Sequence, residues 1–228
     1  MTDSEFKQIT SDCDLADNLF LISKYCKGSK VWNCSGCHIT SISSAIKFLT
    51  HTEYFDCSIN KIQILVPEIG LLKNLRKLDV SVNALKSLPE SICELSELEE
   101  LICHNNALSG LPNISVLTKL RVVMCSTNRI RALPSGLQNL PHLTILDFYD
   151  NKLTALPQEL EYSRSLKLLD IAYNRFKSIP DWIVHHRMDF RIDHNPATMQ
   201  NETTAGNSKI TKNLYYSLMF GIQVEPLD

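Results

Sequence analysis

The stretch Cys34-Ser35-Gly36-Cys37-His38 holds residue types at a spacing from which chemistry could be built. Two thiols three residues apart, followed by a histidine, match the attachment pattern of a c-type haem. There the thiols join the vinyl groups and the histidine ligates iron. The same CxxC spacing serves zinc sites and dithiol redox sites. Cys103-His104 and the pair His185-His186 add further soft ligands. Each reading needs partner residues at ligand spacing, and an element that holds the thiols open to a reactant.

The rest of the chain offers little to such sites. Its 228 residues are 44% hydrophobic and 21% charged, ordinary for a globular protein. A formal net charge of −2 exerts no global pull on nucleic acid or on an anionic membrane. The opening MTDSEFKQIT has no basic n-region and no apolar h-region, so no signal peptide is expected. No run of about eighteen apolar residues is present to span a bilayer. Cys13, Cys26, Cys34, Cys37, Cys57, Cys93, Cys103 and Cys125 are therefore expected to be free thiols in the cytoplasm. Asn33-Cys34-Ser35, Asn113-Ile114-Ser115 and Asn201-Glu202-Thr203 fit the N-glycosylation pattern, which carries no meaning in a cytosolic chain. There is no Gly-rich phosphate loop and no convergent nucleophile and base, so no enzyme is expected.

A repeat accounts for most of the length. LKNLRKLDVSVNALKSLPESICE (72–94) and LPHLTILDFYDNKLTALPQELEY (140–162) share the frame LxxLxLxxNxLxxLPxxI/L. One column runs Cys37, Asn60, Asn83, Asn106, Asn128, Asn151, Asn174 and Asn195, with steps of 23, 23, 23, 22, 23, 23 and 21. Five before it stand Trp32, Phe55, Leu78, Leu101, Val123, Leu146, Leu169 and Phe190. Three before it stand Cys34, Cys57, Val80, Cys103, Cys125, Phe148, Ile171 and Ile192. These two columns differ by two residues, so on a strand they share one face. That face must be buried against a returning segment, since no single repeat forms its own core. Stacked asparagines, each with two donors and an acceptor, can bridge the buried turns between repeats.

This phase settles the opening motif. Cys34 falls in the inward column with Cys57, Cys103 and Cys125, and Cys37 falls in the asparagine column, where such repeats accept Asn or Cys. Both read as small core residues. No haem, metal or other cofactor is expected.

The 23-residue frame with LPxxI/L, as in Leu88-Pro89-Glu90-Ser91-Ile92, resembles intracellular leucine-rich repeats of the Ras-suppressor, scribble and erbin type. The resemblance covers residues 29–197. It implies an α/β repeat fold: a right-handed solenoid of about eight repeats with a parallel β-sheet on its concave side. It also implies a cytosolic protein-binding or scaffolding role. The first two units depart from the frame at Ser29 and Thr52, and Val66 replaces the proline. In residues 1–28, Leu15, Leu19 and Ile22 stand at helical spacing, which suggests an N-terminal helical cap. Residues 198–213 read as a polar linker. The apolar LYYSLMFGIQV (214–224) either folds back as a C-terminal cap or docks a partner.

With the phase fixed, residues six, four and two before the asparagine should face out of the concave side. Ile102, Val122, Met124, Ile145 and Leu168 are apolar there, on four adjacent strands. His104, Asp147, Tyr149 and Asp170 border them, with Tyr173 nearby. An apolar centre with an acidic and aromatic border has the composition of an interface, so another protein is expected on this face. Beside the asparagines, Lys61, Lys86, Arg129, Arg131, Lys152, Arg175 and Lys177 line one edge. That edge reads first as solubilising, with contact to an acidic partner or membrane surface as the lesser reading. Three function classes remain open: an adaptor or scaffold, a regulatory subunit of a phosphatase or small-GTPase pathway, and a secreted recognition protein.

Overall fold

The protein is represented by a computed structural model that describes residues 28–199. The segment expected as a helical cap (residues 1–27), the C-terminal stretch from 200 with its apolar 214–224, and Cys13 and Cys26 lie outside the described residues.

Each repeat contributes one strand of three residues. They are β1 (Val31–Asn33), β2 (Tyr54–Asp56), β3 (Lys77–Asp79), β4 (Glu100–Ile102), β5 (Val122–Met124), β6 (Ile145–Asp147), β7 (Leu168–Asp170) and β8 (Asp189–Arg191). They form a single parallel sheet in sequence order. The register follows the repeat: Phe55 pairs with Leu78, Leu78 with Leu101, and Leu146 with Leu169. Between strands the chain returns through 3-10 turns, such as Pro67–Leu71, Glu90–Glu94 and Gln158–Tyr162. Proline sets these turns: Pro89 precedes its turn at φ −68, and in the second repeat, where Val66 takes that place, Pro67 occupies the first turn position instead. The last return is a short helix, α1 (Trp182–His185), and α2 (Pro196–Met199) follows β8.

The core is a stack of columns. Every residue five or three before the asparagine is buried, from Trp32 and Cys34 to Phe190 and Ile192. The returns close over them through residues such as Ile46, Ile69, Ile92 and Leu160. Gly70 allows two returns to approach closely, since a Cβ there would stand 2.5 Å from the Ser91 carbonyl oxygen.

The asparagines join repeat to repeat. The Asn128 amide nitrogen donates to the carbonyls of Cys103 (3.0 Å), Cys125 (3.1 Å) and Ser126 (3.2 Å), while its oxygen accepts the Leu108 N–H at 2.9 Å. The same network recurs at Asn60, Asn83, Asn106, Asn151, Asn174 and Asn195. This turn requires a left-handed residue just before the asparagine column. Gly36 supplies it in the first repeat at φ 69, which is the role of the glycine in the opening motif. Later repeats place Ile59, Val82, Asn105, Thr127, Asp150, Tyr173 and His194 there, at φ between 50 and 56.

Candidate functional site

The second row of each strand faces the open side of the sheet, and its character changes along the solenoid. Asn33, Asp56, Asp79, Asp147 and Asp170 occupy one column, and each carboxyl or amide oxygen accepts the backbone N–H two residues on, at 2.9 to 3.1 Å. These side chains finish the strand ends as the turn begins. Ile102 and Met124 interrupt the column on β4 and β5, opening an apolar window between two polar stretches.

The sequence expectation that the apolar patch faces solvent is corrected here. Ile102 and Met124 are 8% exposed, Ile145 6%, and Leu168 fully buried, while Asp147 and Asp170 are 1% and 0% exposed. Strands β6 and β7 are buried at every residue. Part of the cause is the ladder itself. Neighbouring strands stand about 4.8 Å apart, so bulky residues in register cover one another's sides. Ile145 pairs with Leu168, and Asp147 with Asp170. The other part is Arg191, which reaches from β8 to the Asp170 carboxylate at 3.1 Å while its guanidinium lies 5.6 Å from the Tyr149 ring centre. Asp170 is thus roofed by a neighbour from the same chain and does not wait for a partner's cation. Val122, His104 and Tyr149 are half-buried, and Tyr173 is 42% exposed.

What the structure does assemble is an aromatic ledge. The Tyr149 and Tyr173 rings lie 5.1 Å apart and tilted, and His194 stacks on Tyr173 at 4.0 Å. His194 and Arg191 were missed in the sequence reading. Their signal was present: His194 follows Tyr173 in the column before the asparagine, and Arg191 stands opposite Asp170. The electrostatics beneath the ledge are tense. Burial, with Asp147 alongside, pushes the Asp170 carboxyl up to about 7, against the opposing pull of Arg191. Burial, and then Tyr173, raises the Tyr149 hydroxyl.

The cysteine and histidine motifs fall elsewhere. The Cys34 thiol is buried and donates to the Asp56 carbonyl at 3.4 Å, while His38 is exposed. His186 is engaged at both nitrogens. Nδ1 accepts the Met188 N–H at 3.2 Å, so Nε2 is the donor to the Ser163 carbonyl at 3.1 Å. It borders an open cleft on the return side with Arg164, Lys167, Arg187, Glu161 and Asp189, which mixes both signs.

Residues 118–176 match the leucine-rich repeat family model. A comparison with curated proteins finds no match. Among solved structures, a leucine-rich repeat protein of Leptospira interrogans is 24% identical with a TM-score of 0.57, covering 85% of this chain and 58% of that one. YopM from Yersinia enterocolitica is 24% identical with a TM-score of 0.64, covering 84% and 40%. The leucine-rich repeat ectodomain of the receptor kinase GASSHO1/SCHENGEN3 from Arabidopsis thaliana is 26% identical with a TM-score of 0.64, covering 69% and 20%. The chain spans less than two thirds of the length of each of the three. One strand per repeat, a ladder of asparagines and these likenesses agree, and the described chain folds as a leucine-rich repeat solenoid.

Proposed function

We propose that this chain is a protein-binding adaptor or scaffold of the cytoplasm that takes its partner on the C-terminal half of the concave sheet face. The observation that carries the reading is the aromatic ledge of Tyr149, Tyr173 and His194 beside a rigid floor of Ile102, Met124, Ile145 and Leu168. Tyrosines are large, amphipathic and lose little conformational entropy when held, which makes them effective anchors. A floor already packed has little left to order when a partner arrives. Val122 and His104 extend the accessible rim across β5 and β4. The plant ectodomain was solved in complex with CASPARIAN STRIP INTEGRITY FACTOR 2, which lends support to partner binding as a use of this architecture.

The test is capture by crosslinking from cells, followed by titration of the purified chain with the recovered protein made recombinantly. Tyr149→Ser combined with Tyr173→Ser should leave the circular dichroism melt close to wild type and weaken that binary affinity at least tenfold, as expected for paired aromatic anchors. Undiminished affinity in the folded double variant overturns the concave reading.

A further inference from the structure

The two flanks of the solenoid use their charges differently. Where the first five strands begin, the column seven before the asparagine reads Lys30, Glu53, Arg76, Glu99 and Arg121, alternating in sign up the ladder. These residues pair with one another: Lys30 with Glu53 at 2.7 Å, Arg76 with Glu99 at 2.5 Å, and Arg121 with Glu99 at 3.7 Å. Over these five repeats that flank neutralises itself.

The opposite flank does not. One or three residues past the asparagine stand Lys61, Lys86, Arg129, Arg131, Lys152, Arg175 and Lys177. No Asp or Glu occurs from one to four residues past the column in any of the first seven repeats. Asp150 is the one acid in the column just before it. Among the described residues, none of the seven cations is in an ion pair. They stack in line, since the Arg129, Lys152 and Arg175 N–H groups donate to Leu108, Ile130 and Leu153 of the preceding repeats at 2.8 to 2.9 Å. All but the half-buried Lys152 are exposed.

Apolar side chains protrude from the same flank. Ile59 is 59% exposed, Ile64 73% and Val82 39%. Ile59 and Val82 are β-branched residues held at φ 55 and 51, where such side chains are strained. Neither burial nor backbone preference accounts for them.

We infer that this flank docks on the surface of a lipid bilayer bearing anionic headgroups. Each cation near such a surface adds about fivefold in affinity. Apolar side chains between the cations enter the boundary of headgroups and acyl chains. The in-register ladder lines these residues up along one side, so one extended surface meets repeats two to seven together. An acidic peptide or a nucleic acid would answer the cations but leave Ile59, Ile64 and Val82 in water.

The experiment is co-sedimentation of the full chain with vesicles of phosphatidylcholine alone or mixed with phosphatidylserine. The wild type should sediment only with the anionic vesicles, and less so as salt approaches about 1 M, where the Debye length is about 3 Å. Arg131→Glu with Arg175→Glu and Lys177→Glu should weaken binding by at least about a hundredfold. Lys47→Glu with Arg164→Glu and Arg187→Glu changes net charge equally on other surfaces and should leave binding near wild type. Ile59→Ser with Ile64→Ser should weaken binding by a factor that salt does not alter. Absence of sedimentation, equal binding to phosphatidylcholine alone, or equal loss in both charge variants overturns the proposal. So does tighter binding of polyglutamate or an RNA homopolymer that is lost in the flank variant, which would assign the flank to that occupant.

Discussion

The sulfur atoms of Cys103 and Cys125 lie 2.9 Å apart, one residue past β4 and β5. Both thiols are fully buried. The Cys125 thiol is pushed well above its ordinary range by burial and by its bond to Cys103, Cys57 likewise by burial, and Cys34 to about 12 by burial with Cys37 beside it. Reactivity follows thiolate population and access. In the folded protein at pH 8, a thiol reagent should leave Cys34, Cys57, Cys103 and Cys125 unmodified, and Cys37 and Cys93 should react ahead of them, as read by peptide mass spectrometry. After denaturation without reductant, all eight cysteines in the chain should titrate. A Soret band or stoichiometric zinc would contradict the core role of the CxxCH motif.

Asn128→Ala removes one acceptor and three donor contacts from a buried turn. The orphaned carbonyls and the Leu108 N–H should cost about 1–3 kcal/mol, read as a lower urea midpoint. An unchanged midpoint would mean that water replaces the side chain.

Asp170 gives stability a pH signature. Its folded carboxyl titrates at about 7, above the ordinary value of 3.8. The folded protein therefore keeps a proton that the unfolded chain gives up. The associated stability is fully present below about pH 4 and is lost as pH rises through about 7. Asp147→Asn removes the neighbouring charge and can still accept the Tyr149 N–H. Urea midpoints from pH 4 to pH 8 should then fall less steeply than in wild type, and an identical slope would dissociate the two carboxyls.

Ile59→Asn should stabilise. The position is left-handed at φ 55 and the side chain is 59% exposed, so the change relieves strain and gives up little burial. Asparagine tolerates that conformation, and the gain should be on the order of 1 kcal/mol in urea unfolding.

Ile145→Lys should destabilise by about 3 kcal/mol or more, because the side chain is 6% exposed and a charge would enter a packed floor. Val122→Lys, on the half-buried rim, should cost less than about 1 kcal/mol. Equal costs at the two positions would show that floor and rim are not distinct.

The inward columns were legible because a period of 23 fixes phase, and phase fixes face. Leu78, Leu101 and Leu146 are buried where that phase puts them. The asparagine network was legible because its donors and acceptors must meet the turns of adjacent repeats. Two things were not legible. Alternation says which way Leu168 points, but its depth depends on neighbours such as Ile145 across the ladder, and Asp170 is covered by an arginine from another repeat. The left-handed column was also hidden, because Ile59, Val82 and Thr127 argue against it by local preference, and Gly36 alone announces it.

The hydrogen bonds between repeats join residues no more than 26 apart. Among the described residues no hydrogen bond ties one end of the ladder to the other, and each repeat is bonded to its neighbours. Amide exchange should therefore be slowest at β4 and β5 and quicken toward β1 and β8. Under tension applied at the chain ends, the molecule should peel away in steps of one repeat and not rupture as a block.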